Sequence, residues 1–450
     1  MKHLALAILW LLALPAAVAD EGEQVRRGRA LYQGHAPLAL AAAATDLRLP
    51  AEMAACARCH GATGEGGREA GQTVPPLRWS ALTQPREGLA AFPGAAAVLR
   101  AVTQGRGRGA EMLAPGMPRY ALQPGEAEAL LAYLQRLGTA QDMPPGVSAD
   151  AIRLGTVVPL SGSAAAMGAA IVAGLRAGFE EVNARGGVHG RRIDLQVQDG
   201  RGGVRQALAA WRADPVYALT GGLWNEALES ADELLAQAHL PHVATLVVRD
   251  KAPVAAGWSA DLLAPVALQR AALEKALRGC VHGARMAVAH GEIAAARAGE
   301  VVRWLAPQST LVHDALRQAQ PGCIAYTLAS APVVQAALPA GWTQTLVLPM
   351  PAAVLQPVVG RERAAAPWYR LGLTAARLTT ELLSRAGRVL HERALLDQLD
   401  SMQELELAPG MVVHYGRQRR HGWLPLPVPL GVSADAPAPA DVAAVSRQGG

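Results

Sequence analysis

The pentapeptide Cys56-Ala57-Arg58-Cys59-His60 constrains this chain more than any other feature. Two thiols about one helical turn apart match the two vinyl groups along one edge of a haem. The next residue then brings an imidazole nitrogen to the iron, and C-x-x-C-H is the attachment sequence of a c-type haem. Two other chemistries share the C-x-x-C core. A zinc site needs further Cys or His ligands close by, and none cluster around residues 56–60. A redox dithiol of the thioredoxin kind follows a strand inside a βαβ pattern, whereas here Leu49-Pro50 precedes the motif and glycine-rich sequence follows it. The expectation is one covalent haem c on Cys56 and Cys59, with His60 as an axial iron ligand.

The sixth iron ligand must come from downstream. Met117 lies in Ala114-Pro115-Gly116-Met117-Pro118-Arg119-Tyr120, a stiff, proline-flanked loop suited to holding a thioether against iron. Met112 is the competitor, although a lone methionine is more often core filling. A helix is expected over Glu126 to Leu137, with Pro124 at its first turn. The order of these motifs resembles the class I cytochrome c family across residues 24–138. An N-terminal helix carries Gly28 and Tyr32, then come C-x-x-C-H, a Met-Pro loop, and a C-terminal helix with Tyr133. In that family the two terminal helices cross closely, with glycine and aromatics at the contact. Two protein ligands would leave iron no open position, which favours electron transfer over oxygen chemistry.

The first residues combine Lys2, an apolar stretch from Leu4 to Val18 and Ala17-Val18-Ala19, the pattern of a cleaved secretory signal peptide over 1–19. That stretch is shorter than the roughly 18 residues or more of a membrane span, and no later segment qualifies. At 450 residues several domains are expected. The boundaries read as a cytochrome c domain over 20–138, a linker over 139–150 containing Pro144-Pro145-Gly146, an α/β domain over 151–432 and an Ala/Pro-rich disordered tail over 433–450. The net charge of +5 is small for this length, and no basic run interleaves with aromatics, which argues against nucleic acid as a partner.

From Ala151 onward, short β-type runs alternate with amphipathic helical stretches. Ile152 to Pro159 reads as a buried strand and Ala164 to Ala184 as a helix. Ile193 to Gln198 reads as a second strand, together the βαβ opening of a doubly wound parallel sheet. The turn Ser161-Gly162-Ser163 could offer backbone N–H groups to an anion, or Ser161 or Ser163 could simply cap the helix. The stretch VVPLSGSAAAMGAAIVAGLRAGFEEVNARGGVHGRRIDLQVQD closely resembles the N-terminal lobe of branched-chain amino-acid type periplasmic solute-binding proteins. The likeness continues through Ala218 to Gly222 and Leu240 to Thr245, and resumes in TTELLSRAGRV and GMVVHYGRQRRHGW. It implies the type 1 periplasmic binding fold, two α/β lobes with doubly wound parallel sheets closing over a small molecule. Ser161, Gly162, Ser163, Gly222, Trp224, Asn225 and Thr245 are the ligand-binding candidates, with Trp224 either an aromatic pocket wall or a side chain buried for packing at the lobe interface. Three departures point away from a standard amino acid as ligand. Leu223-Trp224-Asn225 replaces the family's small hydroxyl residues, Gly291-Glu292-Ile293-Ala294 replaces an Asp- and Tyr-containing turn, and LVLPMPAAVLQP lacks the acidic anchor for an amino group. The pairs His239/His242 and His282/His290 lack cooperating ligands and read as solvated or core residues.

Cys280 and Cys323 are expected to form a disulfide. Cys280 precedes an expected strand at Arg285 to His290, and Cys323 opens another at Cys323 to Leu328, with a third strand expected between them at Ser309 to His313. In a sheet of order 2-1-3 the first and third strands are parallel neighbours, so their N-terminal ends share one edge. The two resemblances together imply a periplasmic c-type cytochrome, not an enzyme, that exchanges electrons with redox partner proteins. Its solute-binding-like module would dock a partner or sense a small molecule, serving a periplasmic dehydrogenase such as a quinoprotein. The alternative is the substrate-binding receptor of an ABC-type transporter with an accessory haem.

Overall fold

The computed structural model describes residues 22–36, 38–39, 55–69, 71–86, 88–139, 141–224, 228–254, 257–290 and 302–433. The expected signal peptide, Asn225, the Gly291–Ala294 turn and all but Ser433 of the expected tail lie outside these residues. The chain divides into two compact units, Met1–Pro144 and Pro145–Gly450.

The first unit holds helix α1 (22–33), α2 (Cys56–His60), the hairpin β1 (Gly67–Glu69) and β2 (Gln72–Val74), then α3 (Trp79–Leu82), α4 (Ala95–Gln104) and α5 (Glu126–Leu134). Helices α1 and α5 cross where Gly28 has no side chain. A Cβ there would stand 1.9 Å from the Ala129 carbonyl oxygen, so only glycine permits this approach. One turn on, Tyr32 meets Tyr133 edge-to-face with ring centroids 5.4 Å apart, an arrangement favoured by the ring quadrupoles. Arg29 and Asp142 pair at 3.1 Å, both nearly buried, and Asp142 also accepts from the Gly138 N–H at 2.8 Å. The ion pair ties α1 to the chain that leaves α5.

In the second unit the strands are β3 (Ala151–Val158), β4 (Arg192–Asp199), β5 (Ala218–Thr220), β6 (His242–Thr245), β7 (Ser259–Asp261), β8 (Arg285–Val288), β9 (Arg303–Leu305), β10 (Cys323–Thr327), β11 (Thr343–Leu348), β12 (Leu405–Glu406), β13 (Val412–Val413) and β14 (Leu426–Val432). The helices are α6 (Ala165–Asn183), α7 (Gly203–Ala210), α8 (Leu228–Gln237), α9 (Val266–Arg278), α10 (Ser309–Gln318), α11 (Ala331–Ala337), α12 (Ala366–Ala386) and α13 (Ala394–Ser401). One lobe carries the parallel sheet β4-β3-β5-β6-β7. The other carries β14-β11-β10-β8-β9, parallel except for its edge strand β14. Strand β3 is buried along most of its length, as a central strand covered on both faces must be.

Helices α12 and α13 follow the four parallel strands of the second sheet in sequence and precede its edge strand β14, but they pack in the core of the first lobe. Their return makes the lobes interdependent. Helix α12 lies against α6 with almost no space between backbones: a Cβ on Gly174 would be 2.0 Å from the Tyr369 carbonyl oxygen, and one on Gly372 2.2 Å from that of Ile171. One expected strand is corrected. Ser309–His313 forms the first half of α10, whose buried Val312, Ala315 and Leu316 recur at helical spacing. The strand between β8 and β10 is instead Arg303–Leu305, and the order β9-β8-β10 keeps β8 and β10 adjacent. Cys323 pairs in register with Arg285, and a disulfide joins Cys323 to Cys280 with Cα atoms 6.0 Å apart.

Candidate functional site

The first site grows from α2, which presents Cys56, Cys59 and His60 within two turns. Three anchors fix it. The Tyr32 hydroxyl donates to the Gly61 carbonyl at 2.8 Å, the Gln33 amide to the Ala62 carbonyl at 3.1 Å, and the Gly66 N–H to the His60 carbonyl at 2.8 Å. Gly66 has a positive φ of 77°, and a Cβ on it would stand 2.5 Å from the Val74 carbonyl oxygen. A glycine there lets the β1–β2 hairpin fold back, which carries Pro75 to His60.

The result is a hydrogen bond of 2.8 Å between His60 Nδ1 and the Pro75 carbonyl oxygen. A carbonyl only accepts, so Nδ1 bears the proton and the Nε2 lone pair becomes the metal donor. Such an outer partner fixes tautomer and ring orientation and raises ligand basicity. Burial pushes the Cys56 thiol up to about 11, the opposite of the lowered thiol a redox dithiol requires. The donor set fits a haem c: Cys56 and Cys59 for thioether links and His60 Nε2 for the iron. Bound there, the group would supply one-electron storage.

Met117 is partly buried against the hydrophobic cluster that contains Cys56 and Tyr120. Its N–H donates to the Ala114 carbonyl at 3.0 Å, closing a turn over Pro115-Gly116. Met112 is 64% exposed at the end of a short bridge pairing it with Arg106. Of the two methionines, Met117 is thus the one packed against the cluster that contains Cys56.

In the second unit the ligand-binding candidates fall into two groups, both at the C-terminal edge of the first sheet, where open α/β sheets bind ligands. At the ends of β3 and β4, the Ser161 hydroxyl donates to Asp199 at 2.7 Å, and Asp199 also accepts from the N–H groups of Leu160 and Arg201. Neither serine caps α6, whose N-cap is Ala164 with no side-chain bond. Gly162 holds a positive φ of 76°. At the ends of β5 and β6, Trp224 is buried and stacks on His242 with centroids 5.0 Å apart. The indole ring fills the space above Gly222, where a Cβ would lie 2.8 Å from it. His242 bonds to the Gly221 carbonyl, while its Nδ1 and the Trp224 indole N–H meet no partner among the described residues. Burial lowers the His242 pKa to about 4, so the ring is neutral.

Thr245 is fully buried, and its hydroxyl donates to Asp261 at 2.7 Å. Arg249 reaches the same carboxylate at 3.0 Å and forks onto Asp232 at 2.6 and 3.1 Å. The Ser259 hydroxyl donates to Asp232 at 2.7 Å and the Tyr415 hydroxyl to the Asp261 carbonyl at 2.7 Å. Sequence reading singled out Thr245 but missed Asp232, Arg249 and Asp261, because no short motif links residues that meet only when β6, β7 and α8 assemble. His242 belongs to the core, whereas His239, His282 and His290 are exposed.

The geometry defines a mainly helical unit whose donor set fits a haem, followed by a two-lobed α/β unit. Residues 50–138 match the family described as Cytochrome c, and residues 151–298 the family described as Periplasmic binding protein. The chain therefore joins a segment that matches the cytochrome c family to one that matches the periplasmic binding protein family, the latter opening a unit of two α/β lobes built on parallel sheets. No curated protein matches it. Similar solved structures include a substrate-binding periplasmic protein from Ralstonia solanacearum, 20% identical, covering 62% of this chain and 98% of that one, with a TM-score of 0.47. A possible leucine/isoleucine/valine-binding protein from Rhodopirellula baltica is 15% identical over 65% of this chain and 96% of its own, with a TM-score of 0.45. The branched-chain amino acid transporter substrate binding protein LivJ from Streptococcus pneumoniae, solved with isoleucine, is 13% identical, covering 62% of this chain and all (100%) of its own, with a TM-score of 0.39.

Proposed function

We propose that this protein is a periplasmic c-type cytochrome that carries single electrons between partner proteins, and that it is not itself an enzyme. The observation that carries the reading is the oriented His60, with Nδ1 held by the Pro75 carbonyl and Met117 packed on the same cluster. His60 Nε2 and the Met117 thioether would fill both axial positions. Such ligation raises the potential and leaves the protein to tune it through burial. The Cys280–Cys323 disulfide supports an oxidising compartment. Among the described residues no helix is long and apolar enough to cross a membrane.

The binding-protein domain, on this reading, docks a partner or senses a small molecule other than a standard amino acid. Trp224 occupies the place above Gly222, and Thr245 and Arg249 are committed to Asp261 and Asp232. A periplasmic dehydrogenase, quinoproteins included, fits as electron donor by analogy alone. A transport receptor with an accessory haem would need those polar groups to face its solute.

The test is spectroscopic. The ferric full-length protein should show the red-end charge-transfer band of thioether-ligated haem, lost in Met117→Ala and kept in Met112→Ala. The opposite pattern would overturn the assignment.

A further inference from the structure

A thioether is a weak, neutral iron donor, so a methionine ligand stays bound only where its loop holds it in place. The loop here is poorly supplied with backbone bonds. Pro115 and Pro118 have no N–H to give. Among the described residues, the one backbone bond donated from within 114–119 is Met117 N–H to the Ala114 carbonyl, internal to its own turn.

The missing brace comes from a side chain. The Arg119 guanidinium donates through one nitrogen to the Met117 carbonyl and through the other to the Leu113 carbonyl at 2.8 Å. It thus spans both ends of the ligand loop. The same guanidinium lies over Gly105, the left-handed C-cap of α4, where a Cβ would fall 1.8 Å from Arg119 Nε. Gly105 in turn accepts from the Leu113 N–H at 2.8 Å through its carbonyl. Glycine is therefore required twice at this point, for its positive φ and for the room it leaves the arginine. The planar fork of arginine suits two carbonyls held side by side, which a lysine cannot reproduce.

We propose that Arg119 is the positioning residue for Met117, clamping its loop to the end of α4 so that the thioether stays on the iron. The proposal rests on Met117 being the sixth ligand. Arg119 is not itself an iron ligand and acts only through the Met117 and Leu113 carbonyls. Its effect should appear in how readily the sixth position is surrendered.

The experiment is an imidazole titration of the ferric, haem-loaded full-length protein, read from the charge-transfer band, with the reduction potential measured alongside. The set is wild type, Arg119→Gln, Arg119→Lys and, as reference for complete ligand loss, Met117→Ala. Arg119→Gln should bind imidazole about tenfold more tightly, the equivalent of losing one charge-assisted hydrogen bond, and its potential should fall towards that of Met117→Ala. Arg119→Lys should lie between. Unchanged imidazole affinity and potential in a folded Arg119→Gln would overturn the proposal. If that variant does not fold, unchanged values in Arg119→Lys would do so. A wild type without the band would refute Met117 as ligand, a different failure that removes this proposal with it.

Discussion

At the scale of single residues, two buried titratable groups near the first-lobe edge shift in opposite senses. His242 is held neutral, its pKa lowered to about 4 from an ordinary 6.5 by burial. The unfolded chain therefore binds a proton that the fold refuses, and stability is complete above 6.5 and lost as pH falls towards 4. The full loss is about 3.5 kcal/mol, ~1.4 per unit, of which about 3 is reached by pH 4. Asp261 opposes it. Burial pushes this carboxyl up to about 6, against the pull of Arg249 and Thr245, so between 6 and 3.8 its protonation favours the fold. Replacing His242 with Gln isolates the first term: the stability gap between wild type and variant should move against the wild type by about 3 kcal/mol from neutral pH down to 4. A gap constant with pH in denaturant titrations would show that His242 is not buried neutral. Arg249→Met should cost about 3–5 kcal/mol, because it leaves Asp261 buried and Asp232 uncompensated. A loss below about 1 kcal/mol would mean that the network is solvated.

Elements show where sequence reading succeeds and where it stops. The α1–α5 crossing was legible because glycine and aromatics at fixed spacing have few other uses, and Gly28, Tyr32 and Tyr133 do meet. Gly28→Leu should therefore lower the melting temperature sharply, at a stability cost of about 1–3 kcal/mol or more, as is typical of overpacking. A variant that melts like wild type would contradict the tight crossing. Ser309–His313 was misread as a strand because Thr310, Leu311 and Val312 suit a strand equally well. The deciding signal was Ala315 and Leu316 further on, which extend the apolar spacing to a helical period. The pairing of β8 with β10 survived that error, since it depends on strand order and not on what lies between. The roles of Ser161 and Thr245 were not legible either. A hydroxyl offered to a ligand and one given to an internal carboxylate look the same in sequence.

For the whole molecule, the consequence is a two-lobed domain in which Trp224 fills the space above Gly222, and Thr245 and Arg249 are bonded to internal carboxylates. Calorimetry of the full-length protein with leucine, isoleucine or valine should therefore detect no micromolar binding. Tight binding of any of the three would return the transport-receptor reading. The state of the haem iron is tested most directly by exposing the reduced, full-length protein to carbon monoxide. A haem with both axial positions held by His60 and Met117 should keep its ferrous spectrum unchanged under the gas and still cycle reversibly through a single one-electron wave. Rapid formation of a carbon monoxide adduct by the wild-type protein would reveal an open iron position and contradict the account of an electron carrier.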